Sequence, residues 1–313
     1  MVLDMLDMQL EKVSVDKDLL APGHRLCAGC AEPIAIRQIL HAIGEPVIVG
    51  SSTGCVEVTT TPFPFSSWRV PWIHSAFENV SSTICGAEAM YRSLVRQGKM
   101  KDEGIKFVCF AGDGATYDIG LQWISGTMER GHKYLYVCLN NEAYMNTGIQ
   151  RSSATPFGAW TTTSPNGKVQ FGKKEHSKDV TAIMADHNVP YVAQASPHAW
   201  RDMMEKARKS VDCGGPAFMN VLVPCQRGWR YPGEKTIEVC RLAVDTCVWP
   251  LYEVVDGEYH LNYQPNPKRP VKDWLSSQGR FKHLMTPENA PIVDQMQTWV
   301  DLQWERLLER CKV

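Results

Sequence analysis

An excess of charge of either sign is the first thing this sequence lacks: 33 Lys and Arg stand against 34 Asp and Glu, a formal net charge of −1. A chain so balanced gives no electrostatic reason to expect nucleic acid or an anionic membrane as partner. Also missing is any run of about 18 apolar residues, which argues against a transmembrane helix. The opening MVLDMLDMQLEKVSVDKDLL has neither a basic start nor a continuous apolar core, and Asp4 and Asp7 interrupt it, so it does not read as a secretory signal. There is no internal repeat and no low-complexity tract. The expectation is a soluble, cytoplasmic protein with no nucleic-acid or membrane partner.

What is present is enough for a large core. The 313 residues, 44% of them hydrophobic, suit one α/β domain with an elaborated tail. Eleven cysteines then need a reason, because structural disulfides are rare in a reducing compartment. Metal or iron–sulfur ligation is the leading one for a subset, while Cys109 and Cys138, inside strand-like runs, read as small buried hydrophobes.

Residues 1–22 read as an arm that packs on a neighbour or on the body, residues 23–232 as the α/β body and 233–313 as a C-terminal extension. In the body, Cys27-Ala28-Gly29-Cys30 precedes Pro33 and a helical spacing of Ile34, Ile36, Ile39, Leu40 and Ile43 that Gly44 stops. The CxxC therefore opens a helix, a position that favours thiolate. A strand at 45–50 runs into Ser51-Ser52-Thr53-Gly54-Cys55. The segment 71–79 leads into a helix over 81–97, whose Gly86, Ala87 and Ala89 suggest tight helix–sheet packing. Strands at 105–110 and 134–139 flank a helix after Gly114, a βαβ unit. The stretch from 149 to about 174 has no period and is too long for an ordinary connection, which marks it as functional. Helices at 179–187 and 197–211 alternate with strands at 191–195 and 217–223. The extension holds a helix at 234–247, an extended section at 249–270 and an amphipathic helix near 287–310, with Trp249, Trp274, Trp299 and Trp304 to pack it on the body or on a partner.

Two constellations carry chemistry. Cys27 and Cys30 come from a helix-opening turn, and Cys55 and Cys225 each follow a strand, so four thiols from three loops can converge on one edge of a parallel sheet. Spacing alone leaves zinc, an unmetallated buried group and a [4Fe–4S] cluster open; zinc sites more often show two CxxC knuckles, and this chain has one. The second constellation is Gly112-Asp113-Gly114 with Asn140-Asn141 at the end of the next strand. Asp113 could be an ordinary helix N-cap. Alternatively Asp113, the Asn141 amide and a following carbonyl supply the hard oxygens that Mg²⁺ shares with a diphosphate, while the glycines admit backbone amides to its oxygens.

GDG with a downstream NN is the thiamine diphosphate fingerprint. The wider text GDGATYDIG…NNEAYMNTGIQRSSATPFGAWTTTSP, with LCAGCAEP, STGC, PWIHSAFEN and VPCQRGW in the same order, resembles the β subunits of the 2-oxoacid:ferredoxin oxidoreductases. The likeness covers about residues 20–230; the text best resembles the pyruvate branch, with the oxalate oxidoreductase β subunit a close relative equally in view from overall resemblance. It implies a mostly parallel sheet of the pyrimidine/pyrophosphate-domain type with helices on both faces, binding thiamine diphosphate, Mg²⁺ and a [4Fe–4S] cluster. Cys27, Cys30, Cys55 and Cys225 would ligate the cluster; Asp113, Asn141 and the Ala143 carbonyl would bind Mg²⁺; Gly112, Gly114, Thr53 and Gly54 would line the cofactor; and Asn146 would face the reacting carbon. Glu32, Phe77, Glu78, Asn79, Thr147, Gly148 and His74 are further pocket candidates.

The implied reaction is oxidative decarboxylation of a small 2-oxoacid with electrons passed to ferredoxin: pyruvate with coenzyme A, or oxalate without it. The implied partners are an α subunit, expected to bring the carboxylate that activates the cofactor's aminopyrimidine, and γ and δ (or fused γδ) subunits. A non-redox thiamine diphosphate decarboxylase or synthase would share GDG–NN without needing the cysteines. A zinc-bound structural protein would share the cysteines without the cofactor.

Overall fold

The computed structural model describes residues 17–313; the part of the N-terminal arm before them lies outside the described residues. One eight-stranded sheet organises the chain, in the order β2-β1-β3-β4-β6-β5-β7-β8. β1 (Val47–Ser52), β3 (Lys106–Gly112), β4 (Leu135–Asn140) and β6 (Ala217–Leu222) are its centre. These runs of β-branched and aromatic residues are buried on both faces, as strands of a parallel sheet covered by helices must be. β2 (Trp72–Ser75) pairs parallel with β1, and β5 (Tyr191–Ala195) parallel with β6. The sheet is thus mostly parallel, as the sequence predicts.

The helices fall on both sides. α1 (Glu32–Ile43) and α6 (Trp200–Asp212) cover one apolar cluster with Ile36, Ile39, Leu40 and Met203. On the other face α3 (Val80–Arg96), α4 (Leu121–Glu129) and the terminal α10 (Ala290–Cys311) cover a second, through Ile84, Ile124, Trp304 and Leu307. The close helix–sheet approach expected at Gly86 lies elsewhere. Gly86 is exposed and has open space beside it, whereas a methyl on Gly50 of β1 would sit 2.5 Å from Ile84 Cγ1. The small residue that lets α3 down onto the sheet is on the strand.

Three elements depart from the sequence reading. The segment 71–79 does lead into α3, but its first part, Trp72–Ser75, is an edge strand that the sequence reading did not assign. The segment after Gly114 begins as a π-helix, Gly114–Ile119, before α4. The extended section beyond Trp249 contains a hairpin, β7 (Tyr252–Val255) and β8 (Glu258–Leu261), that joins the main sheet antiparallel through β5. At the other end of the described chain, residues 17–22 lie on the body: Leu20 is fully buried and bridged to Trp68, and Arg37 Nε donates to the Leu20 carbonyl at 3.0 Å.

Candidate cofactor and cluster site

β3 and β4 are parallel neighbours in register Ala111↔Cys138 and Gly112↔Leu139, so Asp113 and Asn141 emerge side by side at their carboxyl ends. Asp113 is not an N-cap. Its backbone is already helical and its carboxylate bonds nothing in the helix it starts. Instead the Asn141 amide N–H donates to Asp113 Oδ1 at 3.3 Å, and the Ser152 hydroxyl donates to Oδ2. Burial pushes the Asp113 carboxyl up to about 7, against these hydrogen bonds.

Asn141 is held on three sides. Its Nδ2 donates to Glu32 Oε1 at 3.0 Å, and its carbonyl accepts from Trp229 Nε1 at 2.8 Å. Its Oδ1 is buried and, among the described residues, has no partner; the same is true of Glu32 Oε2. Two hydrogen-bond acceptors left unpaired this close together lack the cation or donor that would repay their desolvation. The next residue, Glu142, sits at φ +64°, a conformation non-glycine residues avoid. Its N–H donates to Asn140 Oδ1 at 3.0 Å, its carbonyl accepts from Thr155 Oγ1 at 2.6 Å, and its carboxylate accepts from Arg280 Nη2 at 2.5 Å. These bonds fix the reversal that brings Ala143 back to the site.

Above this floor is a cavity lined on one side by Glu32, Thr53, Gly54, Cys55 and Phe77 and on the other by Gly112, Gly114, Asn141, Ala143, Asn146 and Thr147. Gly112 and Gly54 line it with open space where a Cβ would stand, a cradle that any side chain would fill. Gly114 has a different reason. A methyl there would overlap the Tyr144 ring, which bonds the Gly114 carbonyl and Asp118 Oδ2, both at 3.2 Å, and stacks on Phe77.

Glu78, Asn79 and Gly148 do not line the cavity. Asn79 accepts from the Ser75 hydroxyl at 2.6 Å, and His74 lies outside, its Nε2 2.8 Å from Thr53 Oγ1 and its Nδ1 3.8 Å from Glu57.

The four cysteines of the sequence reading gather beside Glu32. Cys30 closes a turn on the Cys27 carbonyl at 3.0 Å, Cys55 opens the short helix α2 (Cys55–Thr60), and Cys225 precedes α7 (Gln226–Trp229), accepting from Gly228 N at 3.4 Å. Burial pushes the Cys30 and Cys55 thiols far up, and the charges of Glu32 and of one another push them further. Cys225 is raised by burial in the same way, with Glu32 and Cys27 adding to it. Arg280 couples to Cys225, but burial dominates at Cys30, Cys55 and Cys225, so ionised thiols here call for a cationic centre. Among the described residues, no three His, Cys, Asp or Glu side chains are near enough together to hold a single metal ion. Glu32 joins the two halves of the site: it accepts from Asn141 Nδ2, its charge acts on the Cys30, Cys55 and Cys225 thiols, and it is itself pushed up to about 7 by burial.

Residues 50–221 match the family model "Thiamine pyrophosphate enzyme, C-terminal TPP binding domain". Pyruvate synthase subunit PorB of Methanocaldococcus jannaschii is 49% identical over 95% of this chain and 96% of its own length. This chain is a β subunit of the 2-oxoacid:ferredoxin oxidoreductase family, of its pyruvate synthase branch. Two further β-type relatives are PorB of Thermotoga maritima, 47% identical over 92% of this chain and 91% of that protein, and ketoisovalerate oxidoreductase subunit VorB of Pyrococcus abyssi, 44% over 93% of each. A solved 2-oxoglutarate:ferredoxin oxidoreductase from Magnetococcus marinus shares the fold at TM-score 0.54 and 16% identity, covering 76% of this chain and 82% of that one. For a β subunit of this family, the thiamine diphosphate domain spans the strands that carry Asp113 and Asn141.

The sequence did not single out Ser152, Glu142, Tyr144, Trp229 or Arg280, which hold the site from behind. Ser152, Glu142, Tyr144 and Trp229 fall inside the quoted motifs. Arg280 lies 138 residues from its partner, with no local pattern to mark it.

Proposed function

We propose that this chain binds thiamine diphosphate and Mg²⁺ and, with its partner subunits, oxidatively decarboxylates a small 2-oxoacid in the cytoplasm, passing electrons through a [4Fe–4S] cluster to ferredoxin. The observation that carries the reading is the unpaired Asn141 Oδ1 beside the Asp113 carboxylate under a glycine-lined cavity. Asp113, Asn141 Oδ1 and the Ala143 carbonyl would hold Mg²⁺, a hard-oxygen set of the kind that ion shares with a diphosphate. Bound thiamine diphosphate supplies the electron sink for decarboxylation. Gly112 and Gly54 leave room for it, Phe77 and Tyr144 bound the cavity with their rings, and Asn146 and Thr147 are exposed polar residues of its lining.

Cys27, Cys30, Cys55 and Cys225 would ligate the cluster. A cluster rather than zinc rests on the likeness to the family's cysteine motifs; the coupling of Cys30 and Cys55 to Cys225, and of Cys55 to Cys27, is consistent with four thiols sharing one centre. Cys55 lines the cofactor cavity as well, which keeps the electron path short. Glu32 is tied to Asn141 at the metal end, so the carboxylate facing the aminopyrimidine falls to the α subunit. Turnover by the isolated polypeptide would refute that division of labour.

The deciding experiment assays the anaerobic complex with a panel of 2-oxoacids, with and without coenzyme A, following viologen or ferredoxin reduction. Reduction by pyruvate that requires coenzyme A assigns the pyruvate reaction, and reduction by oxalate without it assigns the oxalate reaction. Release of CO₂ with no acceptor reduced, and no visible iron–sulfur absorption, would replace the proposal with a non-redox decarboxylase.

A further inference from the structure

A second cavity is formed between the sheet and the C-terminal helices. Asn140 and Glu142 line it, whereas the alternate residues Asn141 and Ala143 line the cofactor cavity, so the end of β4 is the wall between the two. Its floor is a polar network: Asn140 Nδ2 and Asn220 Nδ2 donate to Tyr117 Oη at 2.9 and 2.8 Å, and Asn220 also reaches Thr181 Oγ1 at 3.0 Å. Tryptophans 249, 274, 299 and 304 stand around it, with the His176 ring stacked on Trp299 at 3.9 Å. Lys178, Arg306 and Arg310 are at the rim.

Three buried polar atoms of this lining have no partner among the described residues: Asn220 Oδ1, Trp274 Nε1 and Gln303 Nε2. Asn220 and Trp274 are each only 1% exposed. A native structure seldom leaves such atoms unmatched, and here two donors and one acceptor face one space. An apolar ligand would leave all three unsatisfied. A small inorganic anion would use the rim and none of the aromatic wall. A flat heterocycle with ring acceptors and an exocyclic amine answers the donors and the acceptor together and stacks on indole, and a phosphate attached to it reaches the arginines. The acidic groups facing the cavity are already engaged: Glu142 with Arg280, and Asp179 with the Ala182 N–H.

We propose that this cavity is a mononucleotide-binding site, with the base among Trp274, Gln303 and Asn220 and the phosphate at Arg306 and Arg310. The inference stands apart from the thiamine diphosphate reading, and its test is run with thiamine diphosphate and Mg²⁺ saturating so that the two cannot be confused. AMP, adenosine and inorganic phosphate are titrated separately into the intact complex, followed by calorimetry and by tryptophan fluorescence. The expected result is saturable AMP binding with fluorescence quenching, adenosine binding more weakly and phosphate hardly at all. The paired R306E and R310E changes, on the exposed side of α10, weaken AMP by about tenfold or more and leave adenosine nearly unchanged. Q303L weakens both. Coenzyme A carries the same chemistry at its nucleotide end and is titrated as a further arm; tighter binding than AMP makes it the source, and weaker binding makes the free nucleotide the source. No saturable binding at millimolar AMP, binding indifferent to all three substitutions, or displacement of AMP by excess thiamine diphosphate would each overturn the proposal.

Discussion

Arg280 donates from Nη2 to Glu142 Oε2 at 2.5 Å, and the two side chains are 3% and 5% exposed. Burial pushes the Glu142 carboxyl up and the guanidinium opposes it. The Arg280 plane also lies 3.7 Å over the Trp229 ring, and Trp229 holds the Asn141 carbonyl. One residue of the C-terminal region therefore braces the αL turn that aims Asn141 and Ala143 at the cofactor cavity.

Removing that brace strands a carboxylate in the core. Arg280→Met should destabilise the chain by about 3–5 kcal/mol, because the remaining charge has neither water nor partner. Chemical denaturation of the purified protein reads it. The double change with Glu142→Gln should recover much of the loss, since it removes the orphan charge; no recovery would mean that Arg280 acts by packing on Trp229 alone.

Ser152 is buried and its hydroxyl donates to Asp113 Oδ2, opposite the bond from Asn141 N. A hydrogen bond behind a metal-binding carboxylate fixes its direction, and loss of such a partner costs about 10–100-fold in metal affinity. Ser152→Ala should raise the Mg²⁺ concentration that half-saturates thiamine diphosphate binding by a factor in that range. Ser153→Ala, next in the chain but without a bond to Asp113, should not. Equal effects from both would place the cause in the loop and not in the hydroxyl.

Gly114 and Gly228 look alike in sequence and differ in what faces them. A methyl on Gly114 meets the Tyr144 ring, which is stacked on Phe77 and hydrogen-bonded at its far end; a methyl on Gly228 meets the end of the flexible Met145 side chain. Overpacking against a fixed ring costs about 1–3 kcal/mol, and thioethers give way more readily. Gly114→Ala should therefore lower the melting temperature more than Gly228→Ala. Combining it with Tyr144→Ala should cost less than the sum of the two single changes.

The same contrast explains what was legible in the sequence. Strands β3, β4, β5 and β6 announce themselves as apolar runs because both their faces are covered, and the GDG and NN clusters are polar residues in register at their ends. Trp72–Ser75 is a four-residue edge strand with half-exposed side chains, too short and too polar to carry a period. The β7–β8 hairpin did leave a signal, Asp256-Gly257 at φ +48° and +85° between alternating residues, which is the dipeptide that two-residue hairpin turns demand. Ser152, Arg280 and Trp229 act through contacts with residues remote in sequence, and such contacts have no local pattern to betray them.

Gly29, inside the Cys27–Cys30 turn, adopts φ +79°, and a methyl there would lie 2.5 Å from Gly233 Cα. The two backbones touch, and the Thr236 hydroxyl donates to the Gly29 carbonyl at 2.5 Å, so the cysteine turn is clamped by the residues that begin the C-terminal extension. Backbone cannot move aside as a side chain can. Gly29→Ala should displace Cys27 and Cys30 and reduce the visible absorption of the anaerobically purified protein, while circular dichroism and thiamine diphosphate binding stay close to the parent's. Gly44→Ala is the control. That residue has φ +68° and ψ 174° with open space around it, a conformation nearly confined to glycine, so an alanine there meets no neighbour and bears only a backbone strain of about 1–3 kcal/mol. An absorption loss as large in Gly44→Ala as in Gly29→Ala would mean that general destabilisation, and not the Gly29–Gly233 contact, governs the cysteine turn.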